Sequence, residues 1–163
     1  MERDELTGLP TKTKFLEDVA AWRTGAILYV DIDQLRFANA VMGHARTDAL
    51  LKSMARLIEV VCNGEMVARV SGVQFAVFVR EAADARSLAA ALCTAFQRAY
   101  QAERAEVLAG AQAAGVIQPK GPVLTVSIGL ATVADYAGTK EALETATGLA
   151  HAAVVAGRDR VVA

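Results

Sequence analysis

Two carboxylates close together in the sequence are the first candidates for chemistry. Asp31 and Asp33 lie at the end of residues 26–32 (AILYVDI), an apolar run that is typical of a buried strand. A carboxylate at the carboxyl end of such a strand is a common ligand of Mg²⁺ in phosphoryl transfer. Because strand side chains alternate, we expect these two to face opposite sides, so that only one of them points into a given site. The spacing alone also fits two acids that cap a following helix.

A second group of polar residues follows at helical and turn positions, namely Asn39, His44 and Asp48. An asparagine amide together with a carboxylate can recognise the edge of a purine, because carboxylate oxygens accept hydrogen bonds from ring and exocyclic N–H groups. Asn39 and Asp48 also fit a turn asparagine and a helix cap. His44 has no partner at a metal-ligand spacing, which indicates a structural histidine.

The composition limits the class of protein. The chain has 163 residues, of which 54% are hydrophobic and 21% charged, which indicates one folded domain and argues against disorder. The formal net charge of -1 removes the electrostatic case for nucleic-acid or membrane-surface binding. Cys62 and Cys93 have no metal-ligand spacing, so we interpret them as buried apolar residues in a reducing cytosol. We therefore expect a cytoplasmic domain that contacts neither nucleic acid nor membrane.

The pattern of apolar residues and turns predicts a single α/β domain with a mainly antiparallel sheet. Residues 71–74 join two β-rich runs and predict a hairpin. Thr11 is the expected cap of the first helix and Gly25 its expected stop. The predicted strands are residues 26–32, 66–70, 75–79, 123–131 and 160–162. The later predicted helices are residues 36–41, a helix from Thr47 or Asp48 to residue 61, a long helix over 82–108, and 139–156, with a loop over 110–122.

Five motifs, in order, resemble those of the GGDEF domain, the diguanylate cyclase family. The match extends over essentially the whole chain, and the five together are specific although no single one is. The resemblance implies a fold like the palm of nucleotidyl cyclases, with a five-stranded, mainly antiparallel sheet flanked by helices. It also implies that two subunits each hold GTP and condense the pair to cyclic di-GMP with Mg²⁺ or Mn²⁺. The motifs are residues 4–10 (DELTGLP), 31–48 (with DID, Arg36, Asn39, GH and Asp48), 69–75 (RVSGVQF), 127–129 (SIG) and 157–161 (GRDRV).

The resemblance implies a role for individual residues. A metal ion would be held by the side chain of Asp31 and the carbonyl of Ile32. The guanine base would be recognised by the pair of polar residues in the second motif, and the phosphates by two arginines. The nucleotide-binding set is Asn39 and Asp48 for the base, Arg36 and Arg158 for the phosphates, and Gly72 in the hairpin.

The hairpin departs from the family pattern at the two positions that catalysis needs. Val73 stands where the family has a metal-binding Asp or Glu, and Gln74 where it has the Glu often assigned to activating the attacking hydroxyl. Valine supplies no oxygen ligand for Mg²⁺, and a neutral glutamine cannot accept the proton. We therefore predict that no residue is catalytic and that the metal site is vestigial. Other departures are Ser71 for a glycine, Val154 for a lysine and Thr47 for a glycine.

The resemblance and the departures lead to two hypotheses. The first is a catalytically inactive GGDEF domain that acts as a regulatory or interaction module in bacterial cyclic di-GMP signalling. Such a module would require no cofactor. It would bind GTP weakly or not at all, and Mg²⁺ only when GTP binds. A homodimer is compatible with this role. The second is an active diguanylate cyclase with atypical ligands. Residues 1–163 are expected to be one degenerate GGDEF domain of a larger protein with an EAL phosphodiesterase or sensor domain elsewhere.

Overall fold

A five-stranded sheet organises the chain. The computed structural model describes residues 2–163. In chain order the strands are β1 (Ala26–Ile32), β2 (Met66–Ser71), β3 (Gln74–Val79), β4 (Val126–Thr132) and β5 (Arg160–Val162). They lie side by side in the order β2-β3-β1-β4-β5, and every neighbouring pair is antiparallel except β4 and β5. The predicted α/β fold class with a mainly antiparallel sheet is therefore confirmed.

Helices cover both faces of the sheet. They are α1 (Lys12–Val19), α2 (Leu35–Met42), α3 (His44–Val61), α4 (Ala85–Ala99), α5 (Gln101–Ala113) and α6 (Thr139–Ala156). The buried residues form two apolar layers, one beneath α1 and α6 and the other beneath the remaining four helices. Among the helices of residues 2–163, none combines the length and the apolar character that crossing a membrane requires.

The central strand, β1, is buried on both faces. Leu28 and Val30 belong to the layer beneath α2, α3, α4 and α5, whereas Ile27 belongs to the layer beneath α1 and α6. A strand that is covered on both faces has no need of polar alternation, which explains the continuous apolar run in the sequence. Near its carboxyl end, β1 brings Asp31 opposite Gln74 of β3.

Segments with strong local signals lie where the sequence predicts them. β1, α6 and β5 have the predicted bounds. Residues 71–74 form the predicted hairpin, with β2 ending at Ser71 and β3 beginning at Gln74. Thr11 caps α1, because its hydroxyl accepts a hydrogen bond from the backbone N–H of Lys14 at 3.4 Å.

Two helix boundaries differ from the prediction. α3 begins at His44, earlier than Thr47 or Asp48, because Gly43 with a φ of 89° turns the chain directly from α2 into α3. Thr47 lies within the first turns of α3 and its hydroxyl donates to the carbonyl of Gly43 at 2.9 Å. α1 ends well before Gly25, which instead lies where β1 meets β3 so closely that a Cβ would be 2.8 Å from a backbone oxygen.

The predicted long helix over residues 82–108 is wrong. A 3₁₀ turn occupies Ala82–Asp84, and Tyr100 separates α4 from α5. Tyr100 leaves the helical conformation (φ -116°, ψ 27°), and its buried ring packs against Phe96 with 5.5 Å between the ring centroids. Its hydroxyl forms a hydrogen bond with Ser53 of α3 at 2.9 Å. Because these contacts are tertiary, the alanine-rich pattern on either side does not reveal the break.

The predicted loop over residues 110–122 is only partly a loop. α5 continues past Gly110, and irregular chain then runs to β4. Gly110 stands inside the helix because a Cβ there would lie 2.8 Å from Cγ1 of Val41, so the glycine lets α5 pack closely on α2. β4 begins at Val126, later than predicted, because the preceding residues exchange backbone hydrogen bonds with Asp33 before strand pairing begins.

Gly129→Ala is expected to lower the free energy of unfolding by about 3 kcal/mol or more, measured by urea denaturation. Gly129 of β4 lies against α6, and an added Cβ would overlap the backbone of Ala146 and Ala150. Gly148→Ala in α6 is the matched control: its Cβ would meet nothing within 4 Å. Removing a helix-interior glycine is expected to stabilise the control by about 0.5–1 kcal/mol. Equal stability of the two variants would contradict this packing of α6 on β4.

Candidate functional site

A cavity of about 280 Å³ lies between α2, α3 and the β2–β3 hairpin, and we call it the α2–α3 pocket. Asn39, Asp48 and Arg36 line it from the two helices, and Gly72 and Val73 line it from the hairpin. The structure therefore brings together the residues predicted for base recognition, one of the predicted phosphate contacts and the hairpin tip. Their roles stay predictions.

The α2–α3 pocket contains hydrogen-bond acceptors that suit a donating ligand. Oδ1 of Asn39 is buried and has no hydrogen-bond partner within residues 2–163. The carboxylate of Asp48 is exposed at the same pocket and does not cap α3, since that helix begins after Gly43. A buried acceptor without a partner costs about 1–3 kcal/mol, which a ligand N–H would recover. Adjacent N–H donors on one flat edge, as guanine has, match these acceptors.

Asp31 is bonded to the side chain that replaces the expected glutamate. The amide Nε2 of Gln74 donates to Oδ1 of Asp31 at 3.4 Å, and the hydroxyl of Ser71 donates to Oε1 of Gln74. The pKa of Asp31 is raised to about 6, mainly by burial and next by the charge of Asp33. The hydrogen bond from Gln74 lowers this pKa by a smaller amount. Ser71, Gln74 and Asp31 thus form one hydrogen-bonded chain across the hairpin and β1.

Asp33 is a structural anchor. Its carboxylate accepts hydrogen bonds from the hydroxyls of Thr125 at 2.7 Å and Ser127 at 2.6 Å, and from the backbone N–H of Asp159 at 3.1 Å. Burial nevertheless raises the pKa of Asp33. The prediction that Asp31 and Asp33 face opposite sides is wrong, because side chains two residues apart on a strand share a face. Accordingly, the charge of Asp33 raises the pKa of Asp31, and the charge of Arg158 lowers the pKa of both.

The residues that the resemblance assigns to a metal ion do not fit Mg²⁺ or Mn²⁺. Such an ion needs several oxygen ligands. Asp31 offers one carboxylate, already facing an N–H donor, and Ile32 offers a carbonyl, whereas the side chain of Val73 packs against the apolar core. All the oxygens of Asp33 are engaged by the fold. Within residues 2–163 no three His, Cys, Asp or Glu side chains are grouped to hold a metal.

The two arginines predicted to contact phosphates differ in their availability. Arg36 lies in the first turn of α2 and is exposed. Arg158 is not among the residues lining the α2–α3 pocket; its charge acts on Asp31, and its Nη1 donates to the carbonyl of Lys120 at 3.1 Å. Val154, in the last turn of α6, carries no charge. Less positive charge is therefore available here than the family pattern supplies.

Arg69 has a role at the hairpin that the sequence did not reveal. Its Nη1 donates to both carboxylate oxygens of Asp4 at 3.0 Å, and its Nη2 donates to the carbonyl of Gly72 at 2.7 Å. Partial burial raises the pKa of Asp4, but hydrogen bonds from Thr7 and Arg69 outweigh this effect and hold the pKa below its usual value. Arg69 thereby ties the N-terminal turn to the hairpin tip. Only its position just before the hairpin could have suggested this.

A family model described as "Diguanylate cyclase, GGDEF domain" matches residues 1–160. No curated protein sequence matches the chain. The fold is similar to that of the GGDEF domain of PA1120 (TpbB or YfiN) from Pseudomonas aeruginosa, with 24% identity, 99% of this chain and 94% of that chain covered, and a TM-score of 0.76. It is also similar to the GGDEF domain of DgcB from Caulobacter crescentus, solved in complex with c-di-GMP, with 24% identity, the same coverages and a TM-score of 0.72.

A third similar structure is a larger protein. Vibrio cholerae LapD, solved as S helix-GGDEF-EAL bound to c-di-GMP, has 11% identity to this chain and a TM-score of 0.71. The match covers 94% of this chain and 34% of that one. At these identities, the solved structures establish the fold that the chain adopts.

Asp31→Asn is expected to raise the free energy of unfolding near pH 7.5 and to leave it unchanged near pH 3.5. Folding raises the pKa of Asp31 from 3.8 to about 6, so the folded state binds more protons in this window and its stability falls as the pH rises through it. Two pKa units correspond to about 3 kcal/mol at most, and partial solvent screening reduces the expected gain to about 1–2 kcal/mol. Urea unfolding across the pH range measures it.

The control for this variant is Asp135→Asn, which removes a charge from an exposed turn. It is expected to change stability little at any pH. If Asp31→Asn raised the free energy of unfolding equally at acid and neutral pH, or lowered it at neutral pH, the charge of Asp31 would not be unfavourable in the folded state.

Proposed function

The chain belongs to the GGDEF domain family, and from this premise we propose that it is a member without diguanylate cyclase activity that works as a regulatory module in cyclic di-GMP signalling. One observation carries the proposal. At the hairpin tip the family's two carboxylate positions hold Val73 and Gln74, and the amide of Gln74 donates to Asp31. The remaining fold is complete around this altered site.

The altered hairpin lacks the two functions that the cyclase reaction requires. Each phosphodiester bond of cyclic di-GMP forms when a ribose hydroxyl attacks the α-phosphate of another GTP, with loss of a proton and release of pyrophosphate. A general base contributes about 10²–10⁴ in rate, and Gln74 cannot serve as one. Metal ions contribute several kcal/mol by neutralising the developing charge, and Val73 offers them no ligand. Arg36 and Arg158 supply positive charge but neither of these functions.

The polar atoms that we propose for guanine recognition come from residues other than the altered positions. Asn39 and Asp48 still line the α2–α3 pocket, and one of their acceptors is buried without a partner. This supports weak binding of a guanine nucleotide, GTP included, as the signal that the module would sense. Mg²⁺ would be bound only together with GTP, since the protein itself presents too few oxygen ligands.

The similar structures support a role in partnership with other domains. LapD joins a GGDEF domain to an EAL domain, and SiaD of Pseudomonas aeruginosa is a diguanylate cyclase solved with its activator SiaC. By analogy, this domain would regulate an EAL or sensor domain, or pair with a second copy of itself. The buried free Cys62 and Cys93, whose thiols have a pKa of about 12 owing to burial, suit a reducing cytoplasm.

We expect no cyclic di-GMP when the purified protein is incubated with GTP and Mg²⁺ or Mn²⁺ and the products are analysed by chromatography and mass spectrometry. An active GGDEF domain serves as positive control. Restoring glutamate at both Val73 and Gln74 is expected to recover little activity, because Ser71 and Val154 still differ from the family pattern. Product above the no-protein level that disappears in Asp31→Ala would establish an active cyclase with atypical ligands and overturn the proposal.

A further inference from the structure

We propose that Asn63 is a site of spontaneous deamidation in the folded protein, at which the backbone nitrogen of Gly64 closes a succinimide ring that water opens to aspartate or isoaspartate. The two residues lie in residues 62–65, which we call the α3–β2 turn. The inference does not depend on nucleotide binding or on the loss of cyclase activity. Three observations carry it: the exposed asparagine, the glycine that must follow it, and the hydrogen bonds on either side of the pair.

The side chain of Asn63 is open to attack. Asn63 and Gly64 are both exposed, directly after the buried Cys62 that ends α3. Within residues 2–163, no hydrogen bond joins the amide group of Asn63 to another part of the protein. An amide group that is neither buried nor bonded can rotate until its carbon, Cγ, faces a nearby nucleophile.

The fold places a glycine next to this asparagine, and the glycine supplies the nucleophile. Gly64 has a φ of 85°, which residues with a Cβ rarely adopt, so the turn itself selects glycine here. The absence of a side chain leaves the backbone nitrogen of Gly64 unshielded. Its N–H group donates to no acceptor in the part of the chain that the structure describes. The same residue that the backbone conformation requires is therefore the one that reacts most readily with a preceding asparagine.

The turn is anchored on both sides of the reacting pair but not at the pair itself. The backbone N–H of Glu65 donates to the carbonyl of Cys62 at 2.9 Å. Nη2 of Arg80 donates to the carbonyl of Gly64 at 3.2 Å, and the backbone N–H of Arg80 donates to Oε2 of Glu65 at 2.9 Å. Among residues 2–163, the peptide group between Asn63 and Gly64 has no partner for its N–H or its C=O. This peptide group can therefore rotate and bring its nitrogen to Cγ while the rest of the domain stays folded.

The reaction balances with water as its only co-reactant. The nitrogen of Gly64 forms a bond to Cγ of Asn63, the bond from Cγ to Nδ2 breaks, and ammonia leaves with the proton of the Gly64 N–H. Water then adds to one of the two ring carbonyls. Opening at Cγ gives aspartate, and opening at the backbone carbonyl gives isoaspartate. Isoaspartate can form only through the ring, so it identifies this route.

Both products disturb the end of α3. Each adds a negative charge at the carboxyl end of a helix and beside Glu65, where the helix dipole disfavours it. Isoaspartate also lengthens the backbone by one carbon, which moves the carbonyl of Gly64 relative to Arg80. We expect the variant Asn63→Asp to lower the folding equilibrium constant about two- to fivefold, as for one unfavourable charge at a helix end.

The test is to incubate the folded protein in weakly alkaline buffer made with ¹⁸O-enriched water and to map the products by peptide mass spectrometry. We expect residue 63 to incorporate ¹⁸O and to yield isoaspartate as well as aspartate. Asn39, the other asparagine of the chain, is the internal control. It is expected to stay intact, because the residue after it, Ala40, lies inside α2, where helical hydrogen bonding holds the backbone N–H.

Asn63→Gln is the matched variant, since it keeps the amide but needs a larger, more slowly formed ring. It is expected to keep its urea midpoint during the incubation, whereas the midpoint of the unaltered protein falls towards that of Asn63→Asp. An Asn63 that stays intact in the folded protein but reacts after unfolding in guanidinium chloride would overturn the proposal, because the turn would then protect it. Aspartate without isoaspartate would overturn the ring mechanism. Equal modification of Asn39 would show that unfolding, not the turn, exposes the site.

Discussion

The buried carboxylate of Asp33 holds together the part of the fold on which the site depends. It accepts hydrogen bonds from Thr125 and Ser127 around the start of β4 and from the backbone of Asp159 just before β5. Three segments that are distant in sequence therefore meet at the end of β1. A buried charge is tolerated only when it is fully hydrogen-bonded, so these partners are required together. This constraint sets the position of Asp31 and of the turn that leads into α2.

The fold and the chemistry of this family rest on different residues, which is why one can persist without the other. The side-chain hydrogen bonds of Asp33 do not involve the hairpin tip, although the partly buried Val73 packs against one apolar layer. At that tip, the hydroxyl of Ser71 donates to Gln74, whose amide donates to Asp31. The domain thus keeps the scaffold and a pocket that contains hydrogen-bond acceptors. Under the proposed function, it gives up the means of activating a hydroxyl and of neutralising phosphates.

Local signals made much of the fold predictable. β1, the hairpin and α6 each carry their own apolar pattern and stop residues, and they form where expected. The break at Tyr100 depends on distant contacts and leaves no local mark. In the site, Asn39 and Asp48 stood out through the family resemblance, since their types alone also suit a turn or a cap. The bond between Gln34 and Lys120 joins residues 86 positions apart, so only the folded chain shows it.

The central claim is that this GGDEF domain has lost its metal chemistry, and binding of Mn²⁺ measured by electron paramagnetic resonance tests it most directly. Free Mn²⁺ gives a sharp signal that weakens when the ion is held by a protein. The account predicts that the unaltered protein weakens this signal no more than the Asp31→Asn variant does. Replacing Val73 and Gln74 with glutamate is predicted to weaken the signal by adding oxygen ligands. Stoichiometric Mn²⁺ binding by the unaltered protein that Asp31→Asn abolishes would contradict the account.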